Sequence, residues 1–239
     1  MNIFIYDDFL DKYKKKLRKV EETLNELRLQ GKIIYLANTK NLKESLTNEL
    51  NSGAKTVIAV GNNKTVNQIL NIMANFSHNI PLSIIPIGPN NSIAESLGII
   101  NGKEACYILS GRRVENINIS TANNLFFIKN FFIKSQGTVI TVENSYNVIP
   151  QKRGKCFVYN LASKNELDNN IKINPQDNKL NLYIETSSKS KTHLIASNLE
   201  IKNPSESGII DDIIEIKTPV DIKPSFKNIT MIVGKDRGF

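Results

Sequence analysis

The stretch that most constrains this chain is Thr56–Leu70, "TVIAVGNNKTVNQIL". A run from Thr56 to Val60 favours extended backbone, Gly61 opens a polar turn, and Val66, Ile69, Leu70 and Met73 then recur at helical spacing. A strand that is apolar almost throughout suits a sheet covered on both faces. The same unit recurs along the first half. "IFIY" (3–6) reads as a strand, and Leu10, Tyr13, Leu17, Val20, Leu24 and Leu27 mark one helix face, with Gly31 as its stop. "KIIYLA" (32–37) reads as a second strand, and Leu42, Leu46 and Leu50 as a helix closed by Gly53. "LSIIPI" (82–87) is a fourth strand, followed by a polar turn and a short helix in "GPNNSIAESLGI". Strand and helix alternate to about residue 100, which predicts a parallel sheet with helices on its faces.

After Cys106 the texture changes to short alternating runs: "VENINIS", "TVITVE", "CFVYNL", "LNLYIE", "LEIK", "IIEIK" and "ITMIV". Asn, Gly, Pro and Ser turns separate them, the pattern of a β-rich, sandwich-like half. The border falls between 105 and 120, giving an α/β domain over 1–110 and a β-rich domain over 111–239. The most apolar run, "NLFFIKNFFI" (124–133), is broken by Lys129 and Asn130 and is far short of the ~20 residues of a membrane span. It reads as a buried β-hairpin. The start, "MNIFIYDDFL", has acids where a secretion signal needs a basic flank, so a cytoplasmic protein is expected.

Cys106, Cys156, His78 and His193 are scattered and make no zinc-spaced cluster. The formal net charge of +8 favours anionic partners: a nucleotide, or an acidic lipid or membrane surface. The lysines are not interleaved with aromatic residues as base-stacking surfaces are, so no nucleic-acid partner is expected.

Ligands of open parallel sheets bind at the carboxyl ends of the strands. Two successive strand ends here carry polar turns, Gly61-Asn62-Asn63-Lys64-Thr65 and Gly88-Pro89-Asn90-Asn91-Ser92. Each precedes a helix, whose N-terminal N–H groups and dipole attract an anion. Gly61 and Gly88 allow close backbone approach, Thr65 and Ser92 are cap or phosphate-donor candidates, the asparagines bring amides, and Lys64 brings a cation. The same residue types also serve turns for purely local reasons.

Together the turns resemble the diacylglycerol kinase catalytic family, whose members carry "GGDGT(V/L)NE" after a strand and "PLGTGNDFA.SLGI" about 25 residues later. The matching stretches are "GNNKTVNQI" (61–69) and "PIGPNNSIAESLGI" (86–99). The segments 157–185 and 218–233 are similar to later parts of the family pattern, and "YDDFL" (6–10) stands where the family has "NP.SG". The resemblance implies an α/β nucleotide domain and a β-rich domain with ATP between them, shared with NAD kinases, and Mg²⁺-dependent phosphoryl transfer to a lipid hydroxyl. It also implies a possible homodimer. On the resembling positions, Gly61, Asn62, Asn63, Lys64, Thr65, Gly88 and Asn91 would bind the nucleotide. Asp211, in "IIDDIIEIKTP" (209–219), would match the acid of the family's "DGE", its proposed base. The chain departs from the pattern where chemistry is concentrated: Asn63 and Ser92 replace the two motif acids, Asn62 and Lys64 replace glycines, and Pro89 replaces a threonine. The expectation is a lipid kinase-like protein that keeps an ATP or phosphate site with transfer weakened at Asn63. The alternative is an inactive relative that acts through protein interactions.

Overall fold

The computed structural model describes residues 1–36, 41–76, 79–168 and 170–239. Ala37, placed at the end of the second expected strand, and His78 lie outside the described residues. The chain divides into two compact units: Met1–Ile117 with Ile229–Arg237, and Asn118–Asn228 with Gly238–Phe239.

In the first unit β1 (Asn2–Tyr6), β2 (Gly31–Tyr35), β3 (Thr56–Gly61) and β4 (Leu82–Pro86) are all parallel, in the order β2-β1-β3-β4. Every residue of β3 and β4 is buried, which accounts for their largely apolar composition, with Thr56 and Ser83 the polar members. Met231, near the chain's end, pairs with Leu82 on the far side of β4. The helices are α1 (Lys14–Glu26), α2 (Leu42–Asn51), α3 (Asn63–Met73), a short α4 (Ser92–Ser96) and α5 (Gly102–Gly111).

Two local expectations are corrected and one helix is added. The helix expected from Leu10 begins at Lys14, because Asp7 accepts from the Phe9 N–H and winds Asp8–Tyr13 into a tighter 3-10 turn. Gly31 is not the stop of that helix, whose end is Arg28 in the left-handed region (φ 54). Gly31 instead opens β2, where any side chain would strike the Asn2 carbonyl. The helix α5 lies in a stretch to which the sequence reading gave no element, at the end of the expected α/β domain. Its signals were the Asn101 cap, accepting from Glu104 N–H, and the buried spacing Ala105, Cys106, Leu109.

The second unit is built of antiparallel strands. One sheet runs β12 (Lys191–Ala196), β11 (Leu180–Thr186), β10 (Gly154–Tyr159), β7 (Asn130–Lys134), β14 (Gly208–Ile210), β15 (Ile214–Ile216). The other places β13 (Leu199–Lys202) between β8 (Val139–Val142) and the first half of β16 (Val220–Ile232), with β9 (Tyr146–Val148) beyond β8. Ile133, Val158 and Leu182 of the first sheet share one core with Ile140, Leu199 and Ile222 of the second, a sandwich.

The run read as a buried hairpin is not one. β6 (Leu125–Phe127) pairs with β5 (Val114–Ala122), whereas β7 pairs with β10 and β14. Ile128 and Lys129 join two strands that have different partners. Among the described residues no helix is long and apolar enough to cross a membrane.

Candidate functional site

β3 delivers its chain directly into α3 through Gly61 and Asn62. Gly61 is required locally, since a side chain there would collide with Thr65 Oγ1. Asn62 is the N-cap of α3: its side chain accepts from Lys64 N–H at 3.0 Å and from the Thr65 N–H. Thr65 closes the box, its hydroxyl accepting from Asn62 N–H at 3.3 Å and donating to the Asp7 carboxylate. Asp7 thus ties β1 to the turn, a role the sequence reading left unassigned although it had aligned "YDDFL" with a family motif.

Asn63 joins the two turns. It is 1% exposed, and its backbone N–H donates to the Asn90 carbonyl at 2.9 Å. Its side-chain amide donates to Ser92 Oγ at 2.9 Å while its carbonyl accepts from Ile93 N–H at 3.2 Å. All four peptide N–H groups from Asn62 to Thr65 therefore have acceptors inside the protein. Lys64 alone of this turn is exposed and free to reach a ligand from solvent.

Gly88 has φ +86, and a side chain there would press on Phe9 (2.7 Å) and Tyr13 (3.3 Å). The 3-10 turn thus lays two rings over the second turn. Asn91 donates to the Gly88 carbonyl at 2.7 Å, and its Oδ1 is buried without a partner. The structure therefore brings together Gly61, Asn62, Asn63, Lys64, Thr65, Gly88 and Asn91.

Asp211 belongs to the second unit. It is 0% exposed, and with Asp212 and Ile213 it forms the three-residue turn between β14 and β15, where Asp211 and Asp212 are both at positive φ (50 and 63). Its carboxylate accepts from the N–H groups of Ile128 (3.3 Å), Lys129 (2.8 Å) and Asn130 (3.3 Å), the segment that links β6 to β7. Asp212 meets the Lys129 ammonium at 3.0 Å, and Glu166 meets it at 2.5 Å. The Lys129 side chain is 1% exposed. Burial alone would lower its pKa, but Asp212 and Glu166 outweigh burial and hold it above the usual lysine range. Neighbouring Tyr159 is pushed above the usual phenol range by burial, then by Glu166 and Asp212. One signal of this cluster was visible in the sequence, a lysine inside the apolar run Asn124–Ile133. Its partners lie 37 and 83 residues away. Both cysteines are buried and free, and burial pushes their thiols up to about 11 (Cys106) and about 12 (Cys156).

Residues 10–122 match the sequence model of the Diacylglycerol kinase catalytic domain family. Among solved structures the chain resembles a diacylglycerol kinase from Bacillus anthracis str. Sterne, with TM-score 0.73 and 18% identity over 98% of this chain and 97% of that one. A putative diacylglycerol kinase from the same organism gives TM-score 0.75 and 17% identity over 98% and 96%. An NAD kinase from Archaeoglobus fulgidus, solved in complex with ATP, gives TM-score 0.60 and 13% identity over 100% and 96%. No curated protein matches the sequence. At these identities the structures establish the fold alone, an α/β unit and a β-rich unit of the kinds found in those structures. The family match adds that the protein is kinase-like.

Proposed function

We propose that this kinase-like protein binds the phosphates of a nucleotide such as ATP at the Asn62–Thr65 and Gly88–Asn91 turns, with little or no transfer to a lipid hydroxyl. The observation that carries this reading is the pair Asn63–Ser92. The resemblance places a carboxylate at both positions, and two carboxylates in contact repel unless a proton or cation lies between them. Here an amide and a hydroxyl stand 2.9 Å apart and satisfy each other without one. The Asn63–Ser92 pair does not fit Mg²⁺: hard cations favour carboxylate oxygens, and the side-chain carbonyl of this pair, Asn63 Oδ1, already accepts from Ile93 N–H. We therefore derive no metal-assisted step. Loss of one group that stabilises a transition state commonly costs about 3–4 kcal/mol, a factor of roughly 10² to 10³, and two are replaced here.

Phosphate contacts fall to the Lys64 ammonium and the Asn62 amide, and the A. fulgidus NAD kinase shows that this fold accommodates ATP in another protein. Asp211, a base by resemblance, has its carboxylate lone pairs engaged by three peptide N–H groups; we read it as the anchor of residues 128–130.

One observation favours a second reading. Since the N–H groups of the first turn of α3 are all occupied, an anion must compete with the cap for them. That suits a relative that uses the kinase fold to hold a protein partner. The test is ATP binding by calorimetry together with ATP turnover on diacylglycerol vesicles. Binding without turnover supports the first reading, no binding supports the second, and Mg²⁺-dependent turnover overturns both.

A further inference from the structure

On the side of β4 that faces α1 and α5, the first unit contains a cavity of about 250 Å³. Its walls are Lys16, Lys19 and Val20 of α1, the strand exit Pro86–Gly88 with Asn91, and Ile100–Lys103 at the start of α5. The lining holds three ammonium groups and no carboxylate. Lys14 and Arg18 of α1 have acid partners in Asp11 and Glu22. Among the described residues Lys16, Lys19 and Lys103 have none, and Lys16 rests on the Tyr13 ring at 5.9 Å.

The packing brings the segments that carry the lysines around one space. A side chain at Gly102 would stand 2.8 Å from Val20 Cγ2 and 3.2 Å from the Pro86 carbonyl, so glycine lets α5 begin directly against α1 and β4. Three cations around one small volume repel one another, by about 1 kcal/mol per pair at 4 Å even in water. A dianion in the cavity removes that repulsion. Asn91 also lines the wall, and its Oδ1 is a buried acceptor with no partner, which a fully ionised phosphate ester group cannot satisfy but a hydroxyl can.

We infer that this cavity binds a small phosphate monoester that carries a hydroxyl, its phosphate on Lys16, Lys19 and Lys103 and its hydroxyl on Asn91 Oδ1. The volume decides the size class. Pockets for larger ligands occupy about 300–1,000 Å³, so this one suits a short ester better than a whole nucleotide. The cavity shares Gly88 and Asn91 with the second turn of the proposed nucleotide site, but its three lysines lie outside both turns, so failure of ATP to bind would leave it standing.

Calorimetric titration of the intact chain with glycerol 3-phosphate tests the assignment, with inorganic phosphate as the probe lacking a hydroxylated stem. The expected result is saturable binding of the ester, tighter than phosphate. It should weaken at least tenfold in Lys103→Ala and in Lys19→Ala and stay unchanged in Lys43→Ala, an exposed lysine of α2 outside the cavity. Flotation with phosphatidic acid vesicles distinguishes a lipid headgroup from a free ester. Vesicle binding lost in the same two variants keeps the phosphate site and assigns its ligand to a lipid. No binding of either probe, or binding weakened equally by Lys43→Ala, would overturn the proposal. The lysines are exposed, so folding of the variants is not at risk, and far-ultraviolet circular dichroism checks it.

Discussion

Truncation of Asn63 to alanine measures what the residue does in place of an acid. The wild-type side chain donates to Ser92 Oγ at 2.9 Å and accepts from Ile93 N–H at 3.2 Å. Asn63 and Ile93 are 1% and 0% exposed, so water does not readily replace the lost partner. An unpaired buried N–H costs about 1–3 kcal/mol, and the lost bond to Ser92 about 1 kcal/mol more. The sum is about 3 kcal/mol, which for a chain of this length lowers the thermal midpoint by roughly 6–12 °C. Asn63→Asp should cost less than Asn63→Ala, because an acid still accepts from Ile93 N–H and takes the Ser92 hydroxyl as a donor. The double variant Asn63→Asp/Ser92→Asp brings two carboxylates together, and should be destabilised in EDTA and recover in millimolar Mg²⁺. Urea denaturation of the four proteins, with and without Mg²⁺, provides the readout. An Asn63→Ala loss under about 0.5 kcal/mol would refute the buried latch. A double-acid variant as stable as wild type and indifferent to Mg²⁺ would refute the account of why the acids are absent.

Other perturbations test the second unit. Lys129→Met leaves Glu166 and Asp212 facing each other without their cation, and should cost about 3 kcal/mol in urea denaturation. Adding Glu166→Gln and Asp212→Asn should recover most of that loss. Asp211→Asn suits the positive-φ turn but replaces the charged acceptor of three N–H groups, so a loss of about 1.5–3 kcal/mol is expected by the same measurement. Burial lowers the pKa of His193, whose ring bonds Asn181 Oδ1 at 3.0 Å. The unfolded chain therefore binds the proton more readily, and stability should fall as pH drops from about 7 toward 5. His193→Gln should flatten that part of the profile, and equal urea midpoints for wild type at both pH values would contradict it.

Much of the first unit was legible because its signals are local. Val57–Val60 of the fully buried β3 form an apolar run, and Gly61 and Asn62 lead straight into the apolar face of α3. The turn residues aligned with the family pattern do lie together. What was hidden depends on contacts distant in sequence. The spacing of Leu10 and Tyr13 suits a helix, but Asp7 captures the Phe9 N–H and tightens that turn. Gly31 has the look of a helix stop, yet the Asn2 carbonyl, 29 positions back, is what excludes a side chain. Alternation in Asn124–Ile133 shows extended backbone but not which strands it pairs with. The pairing of β6 and β7 with different neighbours accompanies the anchoring of Ile128–Asn130 by Asp211, 81 to 83 residues away. For Asn63 the sequence showed a missing acid, whereas the structure shows that Ser92, the second missing acid, is its partner.

Titrating wild-type protein with ATP, with and without Mg²⁺, tests the central claim most directly. A ligand at 100 times its Kd adds about 2.7 kcal/mol, a rise in midpoint of roughly 5–11 °C for a chain of this length. The account predicts a shift of that order with ATP alone, unchanged within error by Mg²⁺ and lost in Lys64→Ala. A shift that appears only with Mg²⁺ would contradict it, because the turns would then hold the metal that Asn63 and Ser92 are argued to have given up.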